Sequence, residues 1–274
     1  MIAPALRRTV VRVDGADRTT FLNRMLTQQL DPESAAGAYG YLLEANGQLV
    51  SGGYWLHRSD AWWALTSADL AAALAEGLQK YVFFRDAVAI TVLPEQQVRL
   101  KPDPQGTYLD TGSRTTIVDW TDLTDATVPD DPEPDFRRRA GVPILGIEVQ
   151  PGDLVLEWDL GLGLAQKGCY VGQEVIERMW SRARRARGRV VVESREPMTD
   201  GHSYDDPQFG TLQVRAPIRD PHTGLWLALG LCKGLPAPDQ PWQTSQGLTI
   251  HHPPLSSDLP PSLGMSYDRW AMLR

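Results

Sequence analysis

The densest chemistry in the sequence lies in Lys167-Gly168-Cys169-Tyr170-Val171-Gly172-Gln173-Glu174-Val175-Ile176-Glu177-Arg178. Two glycines bracket a Cys–Tyr pair, so the backbone there can turn sharply and be approached closely. From about Gly172 the composition suits a helix, which sets Cys169 just ahead of a helix N-terminus. The positive end of the helix dipole and the nearby Lys167 both favour a thiolate, the reactive form of cysteine. Gln173 and Glu174 fall in the first turn, where an acid suits the dipole. A small, buried, inert cysteine in a tight turn accounts for the same residues, because free cysteines are among the most buried side chains. Downstream, Arg178, Arg182, Arg184, Arg185, Arg187 and Arg189 crowd together, with no acid between Arg178 and Val192. That patch suits polyglutamate, phosphate or RNA, and equally a solvated helix end. Trp180 inside it can stack on a flat ring or pack half-buried. His251 and His252 point apart on a strand and have no further ligand at suitable spacing, so no metal site is expected. Two cysteines, Cys169 and Cys232, are too few for a four-ligand cluster or a structural zinc site.

These groups need a frame. Thr9–Val13 reads as a strand, and Asp17 is placed to cap a helix with an apolar stripe at Phe21, Leu22, Met25, Leu26 and Leu30. Tyr39–Leu43 and Leu49–Leu56 read as strands joined through Asn46-Gly47, a tight-turn sequence. Ala61–Thr66 follows as a third strand. Ser67 then caps a helix carrying Leu70, Leu74 and Leu78, and Val88–Leu93 returns as a strand. Helices alternating with hairpins predict an α+β layered sheet. Residues 121–135 hold six acids, three prolines and no base, the composition of a surface loop or linker. From Gly188 onward, Arg189–Glu193, Gly210–Val214, Gly224–Leu231 and Leu248–His251 are short strands between Gly, Pro and Asp, which fits a small all-β barrel or sandwich.

Composition narrows the classes. The chain has 274 residues and a net charge of −7, which argues against wholesale coating of nucleic acid but not against a local basic patch. No apolar run approaches the roughly 18–20 residues of a membrane helix. The first residues lack the basic-then-apolar order of a signal peptide. With so few cysteines, a cytoplasmic setting without membrane partners is expected.

Residues 167–178 resemble the signature of the YgfZ family, the folate-binding relatives of the glycine-cleavage T-protein (aminomethyltransferase). Gly15-Ala16-Asp17, Phe21-Leu22 with Thr27, Asn46-Gly47-Gln48, Lys80-Tyr81-x-x-Phe84 and Ala140-Gly141-Val142-Pro143 resemble further segments of that family. The likeness spans most of residues 9–190. It implies an α+β, ring-like, three-subdomain T-protein fold with a small C-terminal β-barrel. Residues 1–187 would form the T-protein-like region and residues 188–274 the barrel-like domain. The resemblance further implies that tetrahydrofolate or a derivative binds. The implied role is accessory: iron–sulfur cluster assembly or repair, and so cluster-dependent tRNA modification. It makes Cys169 the functional thiol, supported by Lys167 and Arg178, with Tyr170, Gly172, Gln173, Glu174 and Arg139 toward the folate. The implied partners are a folate, iron–sulfur client proteins and tRNA, the last through Arg178–Arg189.

Two departures qualify the likeness. The T-protein carries its working carboxylate just after the hairpin turn, where this chain reads Val50-Ser51-Gly52-Gly53. Aminomethyl or one-carbon transfer, the enzymatic alternative, therefore lacks its acid or base. Relatives also place Glu before Ala-Gly-x-Pro to accept hydrogen bonds from the pterin. Here that position is Arg139, which has donors only and would meet an anion instead. An RNA-binding module built on the arginines is the third alternative.

Overall fold

The computed structural model describes residues 5–34, 37–108, 114–122, 138–139, 141, 143–160, 167–181, 186–237 and 240–252. Most of the acidic stretch 121–135 lies outside them, as do Arg182, Arg184, Arg185, Ala140 and Val142.

The first sheet contains β1 (Ala5–Asp14), β2 (Ala38–Leu43), β3 (Leu49–Arg58), β4 (Ala61–Thr66), β5 (Ala89–Val92), β6 (Gln96–Tyr108) and β7 (Arg114–Asp122). Their order is β2-β3-β4-β1-β6-β7, with β5 also on β1. Strand β1 is central because it serves three partners. One edge pairs with β4, while the other takes β6 along Ala5–Arg8 and β5 along Val11–Asp14. Alternation then sorts its side chains. Val11 and Val13 face one layer and Val10 the other.

Helices α1 (Arg18–Met25) and α2 (Ala68–Gln79) cover one face. Phe21, Leu22, Leu74 and Leu78 pack there against Val11, Trp55, Trp62 and Ala64. On the opposite face, Tyr39, Tyr54, Leu65 and Val10 form one cross-strand row. They pack against residues 145–160, α3 (Gln173–Ser181) and part of the second sheet. The two faces place the aromatics: Trp55 and Trp62 are sealed under the helices, and Trp63 is half-buried on the other side. The free edge of β2 is closed by the loop after α1. Thr27 N–H donates to Tyr41 O at 2.9 Å, and Tyr41 N–H donates to Thr27 Oγ1 at 3.0 Å.

The second sheet contains β8 (Gly188–Ser194), β9 (Ser203–Asp206), β10 (Gly210–Arg219), β11 (Trp226–Cys232), β12 (Trp242–Gln243) and β13 (Leu248–His251). Its order, β12-β13-β8-β11-β10-β9, leaves a half-barrel whose two ends are not hydrogen-bonded to each other among the described residues. Phe209 and Trp242 stack at 5.8 Å, bringing together residues at its two ends. Val190, Val192, Leu212, Val214, Ala228 and Ile250 fill the interior. Val191, Leu229 and Leu231 alternate outward and join the core shared with the first sheet.

Residues 143–160 run between the sheets and carry the connecting chemistry. Leu49 N–H donates to Asp153 O and Gly152 N–H to Leu49 O, each at 2.8 Å, so the segment rides on the start of β3. Its carboxylates hold arginines. Glu148 meets Arg138 at 3.1 Å, Asp153 meets Arg215 at 3.5 Å, Glu157 meets Arg187 at 2.8 Å, and Asp159 meets Arg189 at 3.4 Å.

Several expectations change. Thirteen strands against three helices, among the described residues, make the chain mostly β rather than α+β. The hairpin β6–β7 carries no strand signal in the sequence, since Pro102, Pro104 and Gly106 interrupt it; the ladder skips between Pro102 and Thr107 to accommodate them. Asp17 and Ser67 stand at helix starts, yet neither side chain caps. Asp17 Oδ2 instead accepts from Ala87 N–H at 2.9 Å. Leu30 lies beyond the end of α1, though it is buried as the stripe implied.

Breaking one connector pair should be costly. Arg138 and Glu148 are both buried, and Arg138→Leu strands the carboxylate. We expect a loss of about 3–5 kcal/mol in urea unfolding. A loss below about 1 kcal/mol, the level of a surface pair, would contradict it.

Candidate functional site

The site begins with a crossing of two turns. Gly47, at φ +82°, lies in the β2–β3 turn, closed by Glu44 N–H to Gln48 O at 2.8 Å and Gly47 N–H to Glu44 O at 2.9 Å. Gly172, also at φ +82°, opens α3. A Cβ on Gly172 would fall 2.6 Å from Glu44 O and 3.3 Å from Gly47 Cα, and a Cβ on Gly47 would strike Val175 at 2.9 Å. Both positions need a left-handed backbone and an empty Cβ site, which only glycine combines without strain. The start of α3 therefore sits directly on the hairpin turn. Ile176, fully buried, fixes the helix into the shared core.

Cys169 is exposed and free, three residues ahead of Gly172. This excludes the buried reading. Lys167 is not a loose neighbour of that thiol. Its Nζ donates to Asn23 O at 2.6 Å and Gln28 O at 3.1 Å, and lies 5.5 Å from the Tyr170 ring centroid. Burial lowers its pKa from an ordinary 10.5 to about 8. Tyr170 is buried, and that burial, with Glu177 adding repulsion, pushes its phenol well above the ordinary value. Lys167 thus ties the Cys169 loop to the last turn of α1 and the segment after it, with the Tyr170 ring beside its ammonium.

The remaining motif residues divide between packing and surface. Gln173 N–H donates to Tyr170 O at 3.3 Å. Glu174 and Arg178 are an exposed i,i+4 pair, which leaves Arg178 turned to its own helix. Arg187 and Arg189, expected in an anion patch, are held by Glu157 and Asp159; Arg182, Arg184 and Arg185 lie outside the described residues. Arg139 is separate from the Cys169 motif in its contacts. It bonds Asp220 and Thr223 in the β10–β11 loop and meets Glu193 of β8 at 3.5 Å. Glu193 also receives His251 Nε2 at 3.1 Å, and that hydrogen bond, with the charge of Arg139, holds its carboxyl below the usual value. Where the T-protein's carboxylate was expected, buried Ser51 donates to Leu70 O at 2.8 Å.

Sequence reasoning missed the connector acids Asp153, Glu157 and Asp159. Their signal was present: carboxylates interleaved with Val155, Leu156 and Trp158 in an otherwise apolar run. It also weighed His251 only as a metal ligand and missed its pairing with Glu193.

No protein-family model matches the chain, and no curated protein does. Among solved structures, it is similar to the glycine cleavage system aminomethyltransferase T from Bartonella henselae. The TM-score is 0.69 at 14 % identity, over 92 % of this chain and 86 % of that one. The chain has an aminomethyltransferase T-type fold.

Two outcomes test the site. Gly172→Ala should cost about 1–3 kcal/mol through positive φ alone, with the Glu44 clash adding to it. Unchanged thermal stability would remove the crossing as a constraint. Lys167 binds fewer protons folded than unfolded between pH 8 and 10.5, so its contribution to stability rises with pH across that window. Amine labelling of Lys167 followed by mass spectrometry should show a midpoint near pH 8. An ordinary lysine midpoint would contradict its burial.

Proposed function

We propose that this chain is a YgfZ-like, folate-binding accessory protein for iron–sulfur cluster assembly or repair, and through it for cluster-dependent tRNA modification. The observation that carries the reading is the exposed thiol of Cys169, held on a tethered loop at the start of α3. In this reading Cys169 is the working group, an exposed sulfur that contacts iron or a client protein's sulfur. Lys167 and Gly172 position it. Arg178 stands one helix turn beyond Glu174 as a surface contact. The T-protein fold supports a ring of three subdomains with a folate-sized opening, and residues 188–274 as a barrel-like domain. The setting proposed is the cytoplasm.

Tetrahydrofolate supplies a carrier for one-carbon units when bound. Arg139 does not fit the direct pterin contact, since its guanidinium is engaged by Asp220 and Glu193. The carboxylate that fits is Glu193. It is partly exposed, is held ionised by His251 and Arg139, and accepts hydrogen bonds as a pterin edge requires. Tyr170, Gln173 and Glu174 would bound the ligand on the α3 side. Aminomethyl transfer is the weaker reading, because Ser51 is a buried hydroxyl and supplies no ionisable group. tRNA contact through Arg178–Arg189 is weakened by the pairing of Arg187 and Arg189.

The test has two arms. Calorimetric titration with tetrahydrofolate should saturate, and Glu193→Gln should weaken binding by about tenfold, the effect of losing one charged hydrogen bond. Absence of binding at millimolar ligand would remove folate from the reading. In a deletion strain, Cys169→Ser should fail to complement while unfolding like the parent chain. Full complementation would remove the thiol.

A further inference from the structure

We infer that the turn following α2 is a docking knob for a partner protein that presents acidic side chains around an apolar groove. Phe84 is 92 % exposed and Phe83 is 64 % exposed. With Val92 they are the exposed large hydrophobic side chains among the described residues. Adjacent exposed phenylalanines on a loose tip would fold back or be screened. Here the backbone prevents that. Asp86 N–H donates to Phe83 O at 2.9 Å, and Phe83 N–H donates to Asp86 Oδ2 at 3.1 Å. Arg24, in the last turn of α1, grips both Asp86 oxygens at 3.2 Å. Asp17 N–H donates to Ala87 O at 3.2 Å and Asp17 Oδ2 accepts from Ala87 N–H, so the C-terminal end of the turn is fastened to the start of α1. The rings are therefore presented on an ordered backbone, and a partner has no loop to freeze on binding.

The surrounding charge selects the partner. Lys80 and Arg85 are exposed and have no carboxylate partner among the described residues. The Arg85 guanidinium lies 5.2 Å from the Phe84 ring centroid. The only acid within the turn, Asp86, is neutralised by Arg24. The knob is thus apolar and positive on a chain of net charge −7. Its complement is apolar and negative. Aromatic side chains beside arginine are also the composition of interface hot spots. An anionic bilayer or a phosphate backbone would meet the chain's overall negative charge as well as this small patch, which favours a compact protein groove.

The experiment uses the full chain and a displayed library of random 16-residue peptides, counter-selected against the Phe83→Ala/Phe84→Ala double variant. Survivors should carry apolar residues flanked by Asp and Glu. Their affinity by fluorescence anisotropy should fall about tenfold or more for Phe84→Ala and for Arg85→Glu, as for hot-spot residues. Both side chains are solvent-exposed, so thermal unfolding of the variants should match the parent. No enrichment, enrichment without acids, or affinity indifferent to the variants would overturn the proposal. Phe84-dependent sedimentation with phosphatidylglycerol vesicles, or Phe84-dependent binding of oligouridylate, would overturn it in favour of a bilayer or an RNA.

Discussion

The structure depends on carboxylates buried between two sheets, each matched to an arginine. Residues 143–160 carry Glu148, Asp153, Glu157 and Asp159, and the first three are almost fully out of water. An unpartnered carboxylate there would be driven to protonate or to open the interface. The arginines that meet them come from different places: Arg138 just before the connector, Arg187 and Arg189 at the entry to β8, Arg215 in β10. Such pairs add little net stability compared with well-packed apolar residues. They do penalise every arrangement in which the wrong segments meet. The second sheet is thereby keyed to the first in one orientation, and Val191, Leu229 and Leu231 can complete the shared core.

Much of this frame was legible in the sequence. Strands β2, β3 and β4 followed from short apolar runs and from Asn46-Gly47, and the runs are apolar because both faces of that sheet are covered, one by α1 and α2 and the other by the shared core. The β6–β7 hairpin was not legible, since its prolines and glycine erase the alternation. The pairing partners of the arginines were not legible either. Charge density in a sequence states how many cations lie close together, and only tertiary structure states which carboxylates reach them. Arg187, read as free for an anion, is held by Glu157, which lies 30 residues away in the chain.

The candidate site shows the same division. The helix behind Cys169 starts where the spacing placed it, whereas spacing left the burial of the cysteine open and only the fold shows it exposed. The motif's glycine had a cause that spacing could not supply: Gly172 is empty at Cβ because the backbone of Glu44 and Gly47 fills that space. A long motif can therefore mix residues for chemistry with residues for contact. Gly172 belongs to the second group, and the function proposed above puts Cys169 in the first. Lys167 belongs partly to each, as an ammonium spent on two backbone carbonyls.

That ammonium also imposes an order on biosynthesis. Asn23 and Gln28 leave the ribosome well over a hundred residues before Lys167 does, and N-terminal parts of a chain generally fold first. The carbonyls wait as a formed receptor, and the cysteine loop is drawn into place only when its lysine arrives. The Cys169 loop is thus fastened late in synthesis, after the first sheet has been translated.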